Sequence, residues 1–412
     1  MLITNELLYQ LSYTGLKDSS RLKLTNLKDG VKKEMLGRLR NSYAEVDLNA
    51  LEQNFLSLKS LLKNCAMAPM IKADGYGHGD VQVARVCERL GARYLGVAMV
   101  EEGIKLRLAG IQTPILAFCP FDSMGAEAIV KYRLTPVLSL FDQIGKLKNV
   151  VHETASYPVH IKFNTGMQRL GFEPEDATKV AQEFQKESYL KLEGACTHFT
   201  ESSDFGQPGG ATEIQLKVFK KIMSDIRTVT QNPVLFHYLN SAAILSGVEP
   251  QLDLARPGIS LYGVLPKIKN SKAPPLIPVM SVKSFIAFVH RIKKGEKVSY
   301  GGTWQAAKNS VIAVIPMGYA DGFPRILSNK GHVLVRGQIC PVVGIVCMDY
   351  FMIDVTELSE KNQGPLIGDE VVVLGQQNDK TILAQDLADL AQTVPYEILT
   401  GMQERLPRIY IH

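Results

Sequence analysis

A chain of 412 residues, 46% hydrophobic and 21% charged, has the composition of a globular protein and the length of two domains. Its net charge of +5 is spread along the length, with no lysine- and arginine-rich block interleaved with aromatics, which argues against a nucleic-acid partner. The six cysteines, at positions 65, 87, 119, 196, 340 and 347, show no Cys-x-x-Cys spacing, which suggests neither a zinc site nor a disulfide framework and fits a reducing, cytoplasmic setting. No apolar run reaches the ~20 residues of a membrane span. Residues 1–20 lack the basic start and clean apolar core of a signal peptide.

Residues 1–42 mix Leu, Lys, Asn and Asp without periodicity and read as an N-terminal extension of unassigned role. From 43 to 279, short apolar runs alternate with longer mixed segments. The runs are 67–71, 94–98, 115–118, 136–138, 159–163, 192–197, 234–238 and 254–261. Several of the segments between them, 81–90 and 177–184 among them, have the pattern of amphipathic helices. Such alternation predicts a parallel sheet, and about eight units predict an α/β fold of the (β/α)8 TIM-like barrel type, with its site at the C-terminal strand ends. After 280 the texture becomes β-rich, with strands expected in 281–292, 310–317, 332–336, 339–346, 350–355 and 370–374, separated by Gly, Pro, Asn and Asp clusters. Residues 280–412 therefore read as a second, mostly antiparallel β domain.

Lys72 stands where the 67–71 run leaves the core for a glycine-rich turn. A lysine so placed is desolvated, which lowers its pKa and makes the free amine a nucleophile able to condense with a carbonyl such as that of pyridoxal phosphate. Gly75, Gly77 and Gly79 let the backbone turn tightly against a ligand. Taken alone, a Lys-Gly stretch of this kind is more often a surface lysine before a loop, and the rest of the chain must supply the weight.

The stretch Lys72-Ala73-Asp74-Gly75-Tyr76-Gly77-His78-Gly79 resembles the Lys-Ala-x-x-Tyr-Gly-His-Gly motif of the alanine racemases, which are pyridoxal-phosphate enzymes. The resemblance extends over nearly everything after residue 42, in that family's order of barrel first and β domain second. It implies that Lys72 carries the cofactor and that Tyr76 contacts its phosphate.

Further motifs carry it in order. Lys162 to Gly171 resembles Lys-x-x-Thr-Gly-Met-x-Arg-Leu-Gly. An arginine fork suits a carboxylate, which an amino-acid substrate has. The resemblance implies that Arg169 contacts substrate and the cofactor ring oxygen, and it offers Lys162 as a carbamylation site. Asn164 stands where Asp is common. His198 ends an apolar run and reads as a hydrogen-bonded structural residue; the family places it beneath the cofactor in a positioning role. Asn240-Ser241-Ala242 suits a helix start, with Ser241 a natural N-cap. By resemblance, Asn240 and Ser241 lie at the cofactor and Ser241 holds its phosphate.

Arg256-Pro-Gly-Ile-Ser-Leu-Tyr-Gly263 meets the family pattern in full. It implies Arg256 at the pyridine nitrogen and backbone N–H groups of Gly258 and Ile259 at the phosphate. An arginine stays protonated and does not give that nitrogen a full proton, so the ring is a weaker electron sink than one paired with a carboxylate.

In the second domain, Tyr300 resembles the family's second catalytic base, which reaches the lysine of the other subunit. Lys72 would serve the D face and Tyr300 the L face, with His198, Arg256 and Arg169 supplying hydrogen bonds or positive charge. The implied form is a head-to-tail homodimer with composite sites. By the same resemblance Tyr319 stands near the entrance, the Met348 N–H meets the substrate carboxylate, and Tyr396 narrows the pocket and touches the phosphate. A narrow pocket favours alanine over a serine-directed or broad racemase of the same fold. A barrel that merely carries the cofactor would lack the β domain and Tyr300. One departure stands out: Ile345 and Ser203, followed by Asp204, occupy positions where other members have an Arg–Asp pair. The ion pair of the access corridor is therefore expected to be absent or rebuilt. No metal site is expected.

Overall fold

The computed structural model describes residues 41–151, 156–185, 189–204, 207–246, 252–268, 274–360 and 364–412. The expected extension lies outside the described residues up to position 40.

The apolar runs of the first half become parallel strands. β3 (Leu95–Val97), β4 (Ile115–Ala117), β5 (Thr135–Leu138), β6 (Tyr157–Lys162), β7 (Leu190–Cys196) and β8 (Leu235–His237) form one sheet in chain order, and β2 (Ala66–Met67) pairs with β9 (Leu254–Ala255). Backbone hydrogen bonds complete the ring. Ile71 N–H donates to Gly96 O at 2.8 Å on one side, and Arg256 N–H to Leu239 O at 2.8 Å on the other. This is the TIM-like barrel. The last run is shorter than expected: the chain leaves the strand after Ala255, at Arg256-Pro257, and forms a 3-10 turn over Ile259–Tyr262. Proline there has no N–H to continue a ladder.

Strand alternation sorts side chains between two cores. Ala68, Tyr94, Leu116, Val137, Cys196 and Leu254 fill the barrel interior. Their neighbours Met67, Leu95, Ile115, Leu138, Ala195 and Ala255 pack outward into the main core. Burial on both faces is what makes such strands read as unbroken apolar runs. The same two-residue period brings His160 and Lys162 of β6, Cys196 and then His198 after β7, His237 of β8 and Arg256 after β9 to the inner face.

The first strand departs from the expected boundary at 43. β1 (Tyr43–Asp47) pairs antiparallel with Met280–Phe285 and parallel with Arg408–Ile411, inside the sheet of the second domain. It buries Ala44 and Val46 there, and Asp47 then caps helix α1 (Leu48–Ser60) through a 2.9 Å bond from Ala50 N–H. Every expected strand region after 280 contains strand. The 281–292 run is divided, because Met280–Phe285 and Phe288–Ile292 enter different sheets. Three helices not read from the sequence, Thr356–Glu360, Ala384–Ala391 and Pro395–Thr400, complete the C-terminal part.

Candidate active site

Lys72 opens a turn, Lys72–Tyr76, in which Ala73, Asp74, Gly75 and Tyr76 have φ values of 53, 52, 60 and 53°. Left-handed backbone costs a non-glycine residue on the order of 1 kcal/mol. The surroundings hold the turn in place. Gly75 N–H donates to Ile71 O (2.9 Å), Gly77 N–H to Ala73 O (2.9 Å), and Arg408 Nε of the second domain to Gly77 O (3.0 Å). The turn aims Lys72 and Tyr76 into one cavity of about 370 Å³ at the strand ends. Burial first, then the charge of Arg169, lowers the Lys72 amine below the ordinary lysine range, while Glu102 opposes the shift.

Tyr76 stacks on Tyr262 at 4.8 Å and leans toward Tyr396 at 6.0 Å. Position 258 must be glycine, since a Cβ there would lie 2.6 Å from the Tyr76 hydroxyl. Asn240, not Ser241, is the cap of helix Ser241–Leu245, accepting from Ala243 N–H at 3.1 Å. Ser241 is thereby freed to face the loop after β9, where its Oγ accepts from Gly258 N–H (2.9 Å) and Ser260 N–H (3.2 Å).

Arg256 is fully enclosed. Its Nη1 donates to His237 O (2.8 Å) and His237 Nδ1 (2.6 Å), and its Nη2 to Thr197 O (2.7 Å). Arginine only donates, so His237 carries its proton on Nε2 and gives it to His160 Nδ1, 2.8 Å away. Neither histidine was singled out from sequence. Their one legible signal was a polar residue at an inward position of an otherwise apolar strand.

These rings stay neutral. Burial, chiefly, lowers His160 to about 3 and His78 to about 4, and pushes His237 well below its ordinary value. Between the His160 and His78 values and ~6.5 the unfolded chain binds protons that the folded chain does not, so stability decreases as the pH is lowered through that window. Each such histidine costs roughly 2 kcal/mol at pH 5. The melting temperature is therefore expected to drop between pH 7.5 and pH 5, and a flat profile would contradict the neutral assignment.

His198, Lys162 and Arg169 share the same cavity. His198 is lowered to about 3 by burial, then by Arg256 and Arg169. It is neutral, and so offers hydrogen bonds rather than the positive charge the sequence reading allowed it. Burial also lowers the Lys162 amine, reinforced by the charges of Arg169, Arg256 and Lys72. Among the described residues the lining includes Lys72, Lys162, Arg169 and Arg256 and no aspartate or glutamate.

Tyr300, Tyr319 and Met348 are not part of this cavity. They are 72%, 41% and 53% exposed on the second domain. One loop cluster holds them. Ser299 Oγ donates to Ile345 O at 2.7 Å, and Tyr319 N–H and Ala320 N–H donate to Cys347 O and Met348 O, both at 3.0 Å. Asp204 Oδ1 is buried with no hydrogen-bond partner among the described residues. Position 345 supplies no cation to it.

A parallel barrel that gathers a desolvated lysine and two arginines at its strand ends, backed by a β domain, has the site of a barrel enzyme suited to an anionic ligand. The chain belongs to the alanine racemase family, whose members interconvert the two enantiomers of alanine. The family profiles described as "Alanine racemase, N-terminal domain" and "Alanine racemase, C-terminal domain" match residues 46–266 and 279–410. The alanine racemase of Thermodesulfovibrio yellowstonii is 42% identical over 373 residues, covering 89% of this chain and 97% of that protein. The alanine racemase structure from Clostridium difficile 630 superposes with a TM-score of 0.83 at 32% identity, over 90% of this chain and 96% of that one. The alanine racemase of Bartonella henselae, solved with covalently bound pyridoxal phosphate, gives 0.80 at 28%, over 90% and 99%.

Proposed function

We propose that this chain racemises alanine with pyridoxal 5'-phosphate held covalently on Lys72, by two bases on opposite faces of the substrate, in a head-to-tail homodimer. The observation that carries the reading is the charge of the cavity: four basic side chains and no acidic one line a space of about 370 Å³. A phosphate-bearing aldehyde and an amino-acid carboxylate are both anionic, and such a wall favours both. The donor set fits the cofactor. Lys72 has the lowered amine pKa that attachment needs. Tyr76, the Ser241 hydroxyl, the Ile259 N–H and Tyr396 would take the phosphate, the Gly258 N–H turning to it from the Ser241 Oγ to which it donates, with Asn240 and His198 holding the walls. When bound, the cofactor supplies an electron-withdrawing ring that acidifies the α-proton of alanine.

The chain's own residues do the rest. Arg256, fixed by Thr197 and His237, would stand at the ring nitrogen and keep its own proton. A guanidinium at that place would leave the ring a weaker electron sink than a carboxylate would. Arg169 and the Met348 N–H would orient the substrate carboxylate. Lys162 is the proposed carbamylation site, since a lowered amine is the form that takes up carbon dioxide, and the resulting anion would sit among Arg169 and Arg256. Lys72 moves the proton on the D face and Tyr300 of the partner subunit on the L face. Tyr300 would act beside the Arg169 and Arg256 guanidinium groups of the site it completes. Tyr319 would stand at the mouth. The product, D-alanine, suits supply of cell-wall peptidoglycan, and six free cysteines suit the cytoplasm.

The test is borohydride reduction of the full-length protein after addition of pyridoxal phosphate, followed by peptide mapping. A reduced adduct on Lys72 is the expected result; no adduct, or one on another lysine, would overturn the reading.

A further inference from the structure

We infer that Glu102 is a positioning residue for Lys72: its carboxylate fixes the peptide that follows the lysine, and so the direction in which the amine enters the cavity. The inference rests on the reading of Lys72 as the cofactor lysine.

Glu102 lies in the first turn of the helix Val100–Leu108, which follows β3. Its Oε1 accepts from Ala73 N–H at 2.7 Å. Its Oε2 accepts from Ala98 N–H at 2.8 Å and Met99 N–H at 3.0 Å. Ala98 and Met99 line the cavity, and Ala73 is the first of the left-handed residues after Lys72. One side chain thus ties two walls of the site together and holds the start of the strained turn. The bond to Met99 N–H is ordinary helix capping. The bond to Ala73 is not, because it leaves the helix and ends on the neighbour of the reactive lysine. The same carboxylate favours the protonated form of the Lys72 amine, against burial and Arg169.

A control exists in the same barrel. Glu88 Oε1 accepts from Gln112 N–H (2.7 Å), Thr113 N–H (2.7 Å) and Thr113 Oγ1 (3.0 Å), a loop clasp made by one oxygen and set outside the cavity wall. Glu102→Gln, Glu102→Asp and Glu88→Gln are compared with the parent chain, all full length. Trace acetylation of Lys72 across pH, read by peptide mass spectrometry without added cofactor, reports the amine. Glu102→Gln is expected to move the midpoint to lower pH, while Glu88→Gln and Glu102→Asp keep it near the parent value. Release of pyridoxal phosphate is expected to be about tenfold faster in both Glu102 variants, the equivalent of one charged hydrogen bond, and unchanged in Glu88→Gln. An amide offers one acceptor oxygen where two are needed, and an aspartate is one methylene too short to span both loops.

Parent-like labelling and release in Glu102→Gln, or equal shifts in Glu88→Gln, would overturn the inference. If Glu102→Gln does not fold, unchanged release from Glu102→Asp overturns it. If the parent chain itself captures no pyridoxal phosphate on Lys72, the proposed function fails, and the labelling comparison still decides the role of Glu102.

Discussion

Lys72→Ala lowers alanine racemisation by about 10⁴-fold or more, because one substitution removes both the attachment point and the base on the D face. The fold is expected to survive it. The lysine is half-buried with its charge disfavoured, so a neutral replacement releases a burial penalty while the turn keeps its backbone bonds at Gly75, Gly77 and Arg408. A coupled assay for D-alanine, with the melting temperature measured alongside, checks this. Activity within tenfold of the parent in a folded variant would remove Lys72 from the mechanism.

Tyr300→Phe is the second large effect, a loss of about 10²–10⁴-fold, the usual range for a positioned acid or base. At 72% exposure in a single chain, Tyr300 carries little of the subunit's own stability, so the loss should come without a change in melting temperature. The two faces should also separate. In heavy water, D-alanine should still exchange its α-hydrogen through Lys72, whereas exchange from L-alanine should fall with racemisation. Equal exchange from both enantiomers would mean that another group serves the L face.

The barrel was legible because its strands are buried on both sides and appear as apolar runs at regular intervals. β1 was not, since its partners, Met280–Phe285 and Arg408–Ile411, are more than two hundred residues away and nothing in Tyr43–Asp47 names them. The cavity residues Lys72, Tyr76, Lys162, Arg169, His198, Ser241 and Arg256 were legible as motifs, and they do converge. What supports them was hidden. His237 and His160 are lone histidines inside apolar strands, and Glu102 is one acid among many on a helix. Asn240 and Ser241 compete for one cap, and only geometry separates them. The neutrality of His198 depends on burial and on arginines far away in sequence, which no local pattern records. Tyr300 lies outside the cavity of the single chain, at 72% exposure.

Mixing two inactive variants tests most directly the proposed composite site, in which Lys72 and Tyr300 come from different subunits. Lys72→Ala and Tyr300→Phe chains, dissociated and reassociated together, form mixed dimers in which one site has both bases intact and the other has neither. Racemisation is predicted to return to about a quarter of the parent value for random pairing. A mixture that stays as inactive as its two components would show that Lys72 and Tyr300 do not meet across subunits.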